Sequence, residues 1–390
     1  MKYFKKILLI LLAMSALFAC INNDDPVATY AGKTVIVYMV ADNNLSSYVE
    51  ANIDSMAAGM KRSNVGSNLL IYVDKSDNIP QLIRIVKDVD GTVKKYVIKN
   101  YLEQNSLLPT VMASVISEAA NRFPSQSYGL VLWSHGYGWL PGGGNTKNIP
   151  TRWFGQDGSN NMDIPDLVTA LNAGPHFDYI LFDACFMGGV ETSYALRNNA
   201  DYIIASPAEV MGDGFPYSEL MPSLFGTTEA DYIKAATLYY EHYNTLPASG
   251  SSYPSATVGC IKTSELSVLA NQTAALITAH AAELNTFNAS KVQHLEGYSP
   301  HLFYDFGDFI RLFATDNERT AFNEQLEKCV VYKACTPVIL SATYYGNQLI
   351  TISSFSGLNT YIPRSGLPIQ NTTYHSTEWY ATVGWSKTRW

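Results

Sequence analysis

Apolar residues along the chain fall into short unbroken runs, set between polar loops and segments of helical period. The first run, KTVIVYMV at 33–40, lacks polar alternation, as a strand covered on both faces of a parallel sheet does. The polar loop ADNNLSS follows, then a helical segment over 48–60. NLLIYVDK is a second strand of this kind, and QLIRIVKD and VKKYVIKN, joined through Asp90-Gly91, read as a hairpin, so part of the sheet is antiparallel. A helix over 110–122 leads into YGLVLWSHG at 128–136. A long Gly-rich polar stretch then runs to Asn161, followed by the short helix IPDLVTALN with Asp163 as its expected cap. The strand YILFDAC, a helix over VETSYALRNN and the strand DYIIASPAEV complete an alternation that predicts an α/β sheet with helices on both faces. After residue 226, helical patterns at 229–245, 263–285 and 305–330 surround short strands such as ATVGC and LITISSF. The expected organisation is therefore an α/β core over 33–226 and a mainly helical C-terminal subdomain over 227–390, able to lend the sheet an edge strand.

Composition narrows the class. The 390 residues are 47% apolar and 15% charged, with net charge −8 and no basic block interleaved with aromatics, so nucleic acid is not an expected partner. Residues 1–19 combine Lys2, Lys5 and Lys6 with an apolar run too short for a comfortable membrane span, which is the pattern of a secretory signal. The run ends in LFAC, which resembles the lipobox of bacterial lipoproteins. Cys20 would then carry the lipid that attaches the protein to the membrane, with residues 20–32 as a tether; the alternative is a plain signal peptide with an incidental cysteine. Removing residues 1–19 takes away three lysines and no acids, so the net charge moves from −8 to −11. Either way a bacterial envelope or secreted location is expected. Cys260, Cys329 and Cys335 read as small buried hydrophobes rather than bridges, and no Cys or His spacing resembles a zinc site.

Two of the unbroken runs carry candidate chemistry. One leads into His135-Gly136 and the other into Asp183-Ala184-Cys185. Ligands bind beyond the carboxyl ends of strands in open α/β sheets, so neighbouring strands would bring imidazole and thiol over one crevice. Cys185 lies near the start of the following helix, whose dipole would favour a thiolate by roughly 0.3–1 kcal/mol, and Gly188 and Gly189 would let the chain turn sharply. The chemistry this serves is acyl transfer. Cys185 would attack a carbonyl, His135 would protonate the leaving amine, and the N–H groups of Gly136 and Cys185 would hold the oxyanion. Against this stands the plain reading of a core histidine and a buried thiol. An α/β serine hydrolase is disfavoured by the missing G-x-S-x-G elbow.

The order LVLWSHG, loop, YILFDAC resembles the His-Gly and Ala-Cys signature of caspase-like cysteine peptidases, and in detail the clostripain family. ADYIIASPAEVMGDG and YDFGDFIR fit the same pattern, so the resemblance runs from residue 33 to at least 311. It implies a caspase-like, mostly parallel sheet, a His135–Cys185 dyad, and cleavage of protein or peptide substrates after Arg or Lys by a monomer. It also implies acids beneath the residue preceding the cut, at Asp183 and Asp213. A carboxylate there would select a cation through charge-assisted hydrogen bonds worth about 1.5–3 kcal/mol. Members of the family are typically activated by self-cleavage in the loop between the two strands, which places the cut after Lys147, with Arg152 second; the alternative is a lid that is never cut. Some members respond to calcium, but no loop of regularly alternating acids is present, so no metal or other cofactor is expected to be required. The competing function is a catalytically silent relative serving as a surface binding lipoprotein, in which Cys185 would be inert.

Overall fold

The computed structural model describes residues 31–139, 153–247, 253–343 and 346–390. Cys20, Lys147 and Arg152 lie outside the described residues. In chain order the elements are β1 (Ala31–Ala41), α1 (Val49–Met60), β2 (Asn68–Lys75), β3 (Gln81–Lys87), β4 (Val93–Asn100), α2 (Pro109–Arg122), β5 (Ser125–Trp133), β6 (Phe154–Asp157), β7 (Asn160–Met162), α3 (Ile164–Leu171), β8 (Phe177–Asp183), α4 (Val190–Ala195) and β9 (Ala200–Ala205). They continue with α5 (Tyr217–Leu224), α6 (Glu229–Asn244), β10 (Thr257–Lys262), α7 (Leu266–Ala279), α8 (Ala281–Leu284), β11 (Tyr304–Asp305), α9 (Phe306–Arg311), α10 (Asp316–Cys329), β12 (Val330–Cys335), β13 (Val338–Thr343), β14 (Gly346–Thr351), β15 (Asn359–Thr360), α11 (Pro368–Tyr374) and α12 (Glu378–Val383).

Nine strands form the central sheet in the order β12-β10-β9-β8-β5-β1-β2-β3-β4. The middle of the sheet, from β9 to β2, is parallel, and two antiparallel strands extend each edge. The unbroken apolar runs follow from burial on both faces. Along β1, Ile36, Tyr38 and Val40 enter one core with α2, α3 and the C-terminal helices, while Val35, Val37 and Met39 enter the other with α1, α5 and α6. At roughly 1.5–3 kcal/mol per fully buried side chain, both faces contribute to stability.

The stretch after residue 226 supplies β10 and β12 to one sheet edge, together with the separate hairpin β13–β14. Two local expectations change. The helix after YILFDAC is the six-residue α4, beginning five residues beyond Cys185, so the thiol lies outside the first turn, where a helix dipole acts. Asp163 does occupy the N-cap of α3 in extended backbone, but its side chain makes no capping bond.

Candidate active site

β5 and β8 are adjacent and parallel, with Trp133 paired to Asp183, so the residues just past each strand share one end of the sheet. His135 and Cys185 both line a cleft of about 240 Å³ there, with Tyr137, Glu209, Val210 and Tyr298 among its walls.

The His135 loop is fixed from two sides. Ser134 Oγ donates to Val40 O of β1 at 2.6 Å, while the 153–156 strand pairs with it through Tyr137 N–H to Trp153 O (2.8 Å) and Gly155 N–H to His135 O (2.9 Å). His135 Nε2 lies 2.5 Å from Asn44 Oδ1. An amide oxygen only accepts, so Nε2 carries the proton and Nδ1 is left as the basic nitrogen. Burial lowers the pKa of His135, which favours this neutral imidazole.

Cys185 is held differently. Val210 N–H donates to its sulfur at 3.3 Å, and the thiol donates back to Val210 O at 3.7 Å. Burial first, and then the nearby Glu209 carboxylate, push the thiol up to about 12, so it is protonated at neutral pH. This opposes the low-pKa thiol expected from a helix terminus. The turn also differs from expectation, because Phe186 rather than a glycine takes the left-handed backbone, at φ 61°. That conformation costs an L-residue roughly 1–2 kcal/mol. Phe186 is kept in it by its N–H bond to Ala208 O and by its ring, stacked on Phe303 with centroids 4.5 Å apart. Gly188 is required for close approach instead: a Cβ there would stand 2.6 Å from Pro207 N.

Gly136 lies beneath the Cys185 peptide, where a Cβ would meet Cys185 O at 2.7 Å. The hydrogen bonds of its pairing run through Tyr137 and Gly155, leaving the Gly136 N–H turned away from that strand.

The clostripain family model matches residues 37–390. The chain belongs to the clostripain family. It is thus a cysteine peptidase of caspase-like α/β fold. Among solved structures it is similar to an inactive zymogen C11 protease from Parabacteroides distasonis, at 37% identity over 91% of this chain and 99% of that one, TM-score 0.81. It is also similar to a secreted C11 cysteine protease from Bacteroides thetaiotaomicron in complex with an irreversible peptide inhibitor, at 34% identity, 92% and 100% coverage, and TM-score 0.82. A further secreted C11 protease from that organism, iotapain, is 27% identical over 91% of this chain and 99% of its own, TM-score 0.76. No curated protein matches.

In this clostripain-family chain the two acids expected beneath the substrate residue sit in different surroundings. Asp183 is buried, and its Oδ2 accepts from Phe215 N–H (3.1 Å) and Tyr217 O–H (2.7 Å), while burial pushes its pKa up to about 6. It faces the cleft but also holds the turn before α5. Asp213 is exposed, next to the cleft residue Gly212 and not itself part of the lining.

Two residues of the site escaped the sequence reading. Asn44 follows β1 and Glu209 follows β9, so β9, β8, β5 and β1 each deliver one polar side chain from the same end. The available signal was positional, since both sit in polar loops directly after unbroken apolar runs. Among the described residues, no group of three His, Cys, Asp or Glu side chains could hold a metal ion, and no helix is long and apolar enough to cross a membrane.

Proposed function

We propose that this clostripain-family peptidase is an endopeptidase selective for Arg or Lys before the cut, acting through Cys185 and His135 and made as a zymogen. The supporting observation is the convergence of Asn44, His135 and Cys185 from three adjacent parallel strands on one cleft.

His135 Nδ1 takes the thiol proton as Cys185 Sγ bonds to the scissile carbonyl carbon. The N–H groups of Gly136 and Cys185 receive the oxyanion, and collapse breaks the C–N bond while the imidazolium returns the proton to the leaving amine. Water, deprotonated by His135, then cleaves the thioester and restores the thiol. Sulfur and imidazole suffice for this sequence, which calls for no metal, and all of its groups come from a single chain. Selectivity for a cation follows from the acids around the cleft, with Asp183 beneath it and Asp213 beside it.

The tethered, protonated thiol is the state expected of an uncut zymogen, and one similar protein was solved as an inactive zymogen. A cut after Lys147, with Arg152 as the second site, would part the His135 and Cys185 segments and free the thiol. Cys20 is proposed as the lipid attachment point on the cell envelope. The same tethered thiol favours a second reading, a silent surface binding protein.

Purified mature protein and Cys185→Ala, each with fluorogenic peptides ending in Arg, Lys, Asp or Ala, separate the two. Turnover of Arg or Lys peptides, with two fragments on a denaturing gel for the wild type and one intact chain for the variant, supports the peptidase. Absence of turnover even after trypsin nicking of the loop supports the binding protein.

A further inference from the structure

We propose that Glu209 is the carboxylate that directly receives the cationic side chain of the substrate, a guanidinium or ammonium group lodged beside Cys185. This rests on the reading of Cys185 as the peptidase nucleophile.

Position argues first. Glu209 lines the cleft together with His135 and Cys185, and the next residue, Val210, touches the sulfur through both its N–H and its carbonyl. A substrate carbonyl at the sulfur therefore brings its own side chain into the neighbourhood of Glu209.

The carboxylate is also built into place. Ser341 Oγ donates to Oε1 at 2.6 Å and Ala342 N–H donates to Oε2 at 2.8 Å, both from β13, more than 130 residues away in sequence. These donors fix its orientation but bring no positive charge. Among the described residues no Lys or Arg pairs with Glu209, and the cleft lining contains neither residue type. Each carboxylate oxygen has a second acceptor position, so two remain for a forked guanidinium. Burial pushes the Glu209 pKa up to about 7, the mark of a charge held without a cation and relieved by gaining one.

Comparison with the other acids points the same way. Asp183 Oδ2 is taken by Phe215 N–H and Tyr217 O–H, and Asp213 is not part of the lining. A bound cation has a second effect. The Glu209 charge is one of the causes holding the Cys185 thiol protonated, so neutralising it eases ionisation of the nucleophile. A basic residue would then be favoured in kcat as well as in KM.

The test compares loop-nicked wild type, Glu209→Gln, Ser341→Ala and Asp213→Asn on peptide pairs differing only in Arg against citrulline before the cut. Each variant is first checked for an unchanged melting temperature. Gln keeps acceptor capacity for Ser341 and Ala342, so the Arg-to-citrulline ratio should fall by roughly 10- to 100-fold in Glu209→Gln, as loss of a charge-assisted pair implies. Ser341→Ala, which retains the charge, should lose less. A wild-type ratio in Glu209→Gln overturns the assignment, as does collapse in Asp213→Asn alone. If no peptide is turned over at all, the peptidase reading fails, and protection of Cys185 from iodoacetamide by agmatine decides the remainder. Protection lost in Glu209→Gln supports the cation site, and equal protection in both proteins overturns it.

Discussion

His135 Nε2 and Asn44 Oδ1 stand 2.5 Å apart, joining the loops that follow two adjacent parallel strands, β5 and β1. The contact fixes both the ring and its tautomer, with Nδ1 left to move the proton. Asn44 is therefore a positioning residue. Asn44→Ala should lower kcat/KM by about 10- to 100-fold, a fraction of the 10²–10⁴ that general acid–base catalysis supplies. Asn44→Asp should instead shift the histidine limb of the pH–rate profile to higher pH, because a carboxylate favours the imidazolium. An unchanged profile in Asn44→Asp would show that the contact does not govern His135.

The state of the thiol is measurable directly. With the Cys185 pKa pushed up to about 12, the thiolate fraction rises tenfold per pH unit throughout the working range. Alkylation of the uncut protein by iodoacetamide should climb steadily from pH 6 to 10, without a plateau near neutrality. Nicking the loop should move the curve to lower pH. A plateau near pH 7 in uncut protein would contradict the tethered thiol.

Gly136 supports the nucleophile from below. In Gly136→Ala the new methyl would meet Cys185 O at 2.7 Å and Ala184 Cβ at 2.9 Å, so the Cys185 peptide must shift. Activity should fall at least tenfold, with a stability loss of about 1–3 kcal/mol typical of overpacking. Denaturant melts beside turnover rates test both effects.

Several carboxyl groups are buried. Asp74 and Glu191 are pushed up to about 7, and Asp183 and Asp305 to about 6, in each case chiefly by desolvation. Between about pH 4 and 7 the folded protein thus holds protons that the unfolded chain has released. Their contribution to stability is complete below that window and is lost as pH rises through it. The melting temperature should therefore decline from pH 5 to pH 8, and Asp74→Asn should flatten the decline. A melting temperature that rises over this interval would contradict the assignment.

Much of this arrangement could be read from sequence because its strands are unusual. The runs before His135 and Cys185 are apolar on both faces, which a mostly parallel sheet demands and an edge strand does not. Their carboxyl ends could therefore be located, and with them the dyad candidates. Asn44 and Glu209 depend on tertiary neighbours: Asn44 on the β1–β5 pairing, Glu209 on a hairpin far along the chain. The left-handed turn was expected at paired glycines and occurs at Phe186, because ring stacking on Phe303 and a backbone bond to Ala208 outweigh its intrinsic cost. β12 was hidden for a local reason. α10 ends at Cys329 and the strand begins at Val330, with no intervening turn residue to announce it.

The central claim is that Cys185 is a nucleophile restrained until the loop is cut. Its most direct test is intact-mass spectrometry after incubation with an Arg-containing peptidyl acyloxymethyl ketone, before and after trypsin nicking. One inhibitor added per nicked molecule, mapped to Cys185, with little added to the uncut chain and none to Cys185→Ala, is the expected result. Nicked, folded protein that remains unlabelled at Cys185 would contradict it.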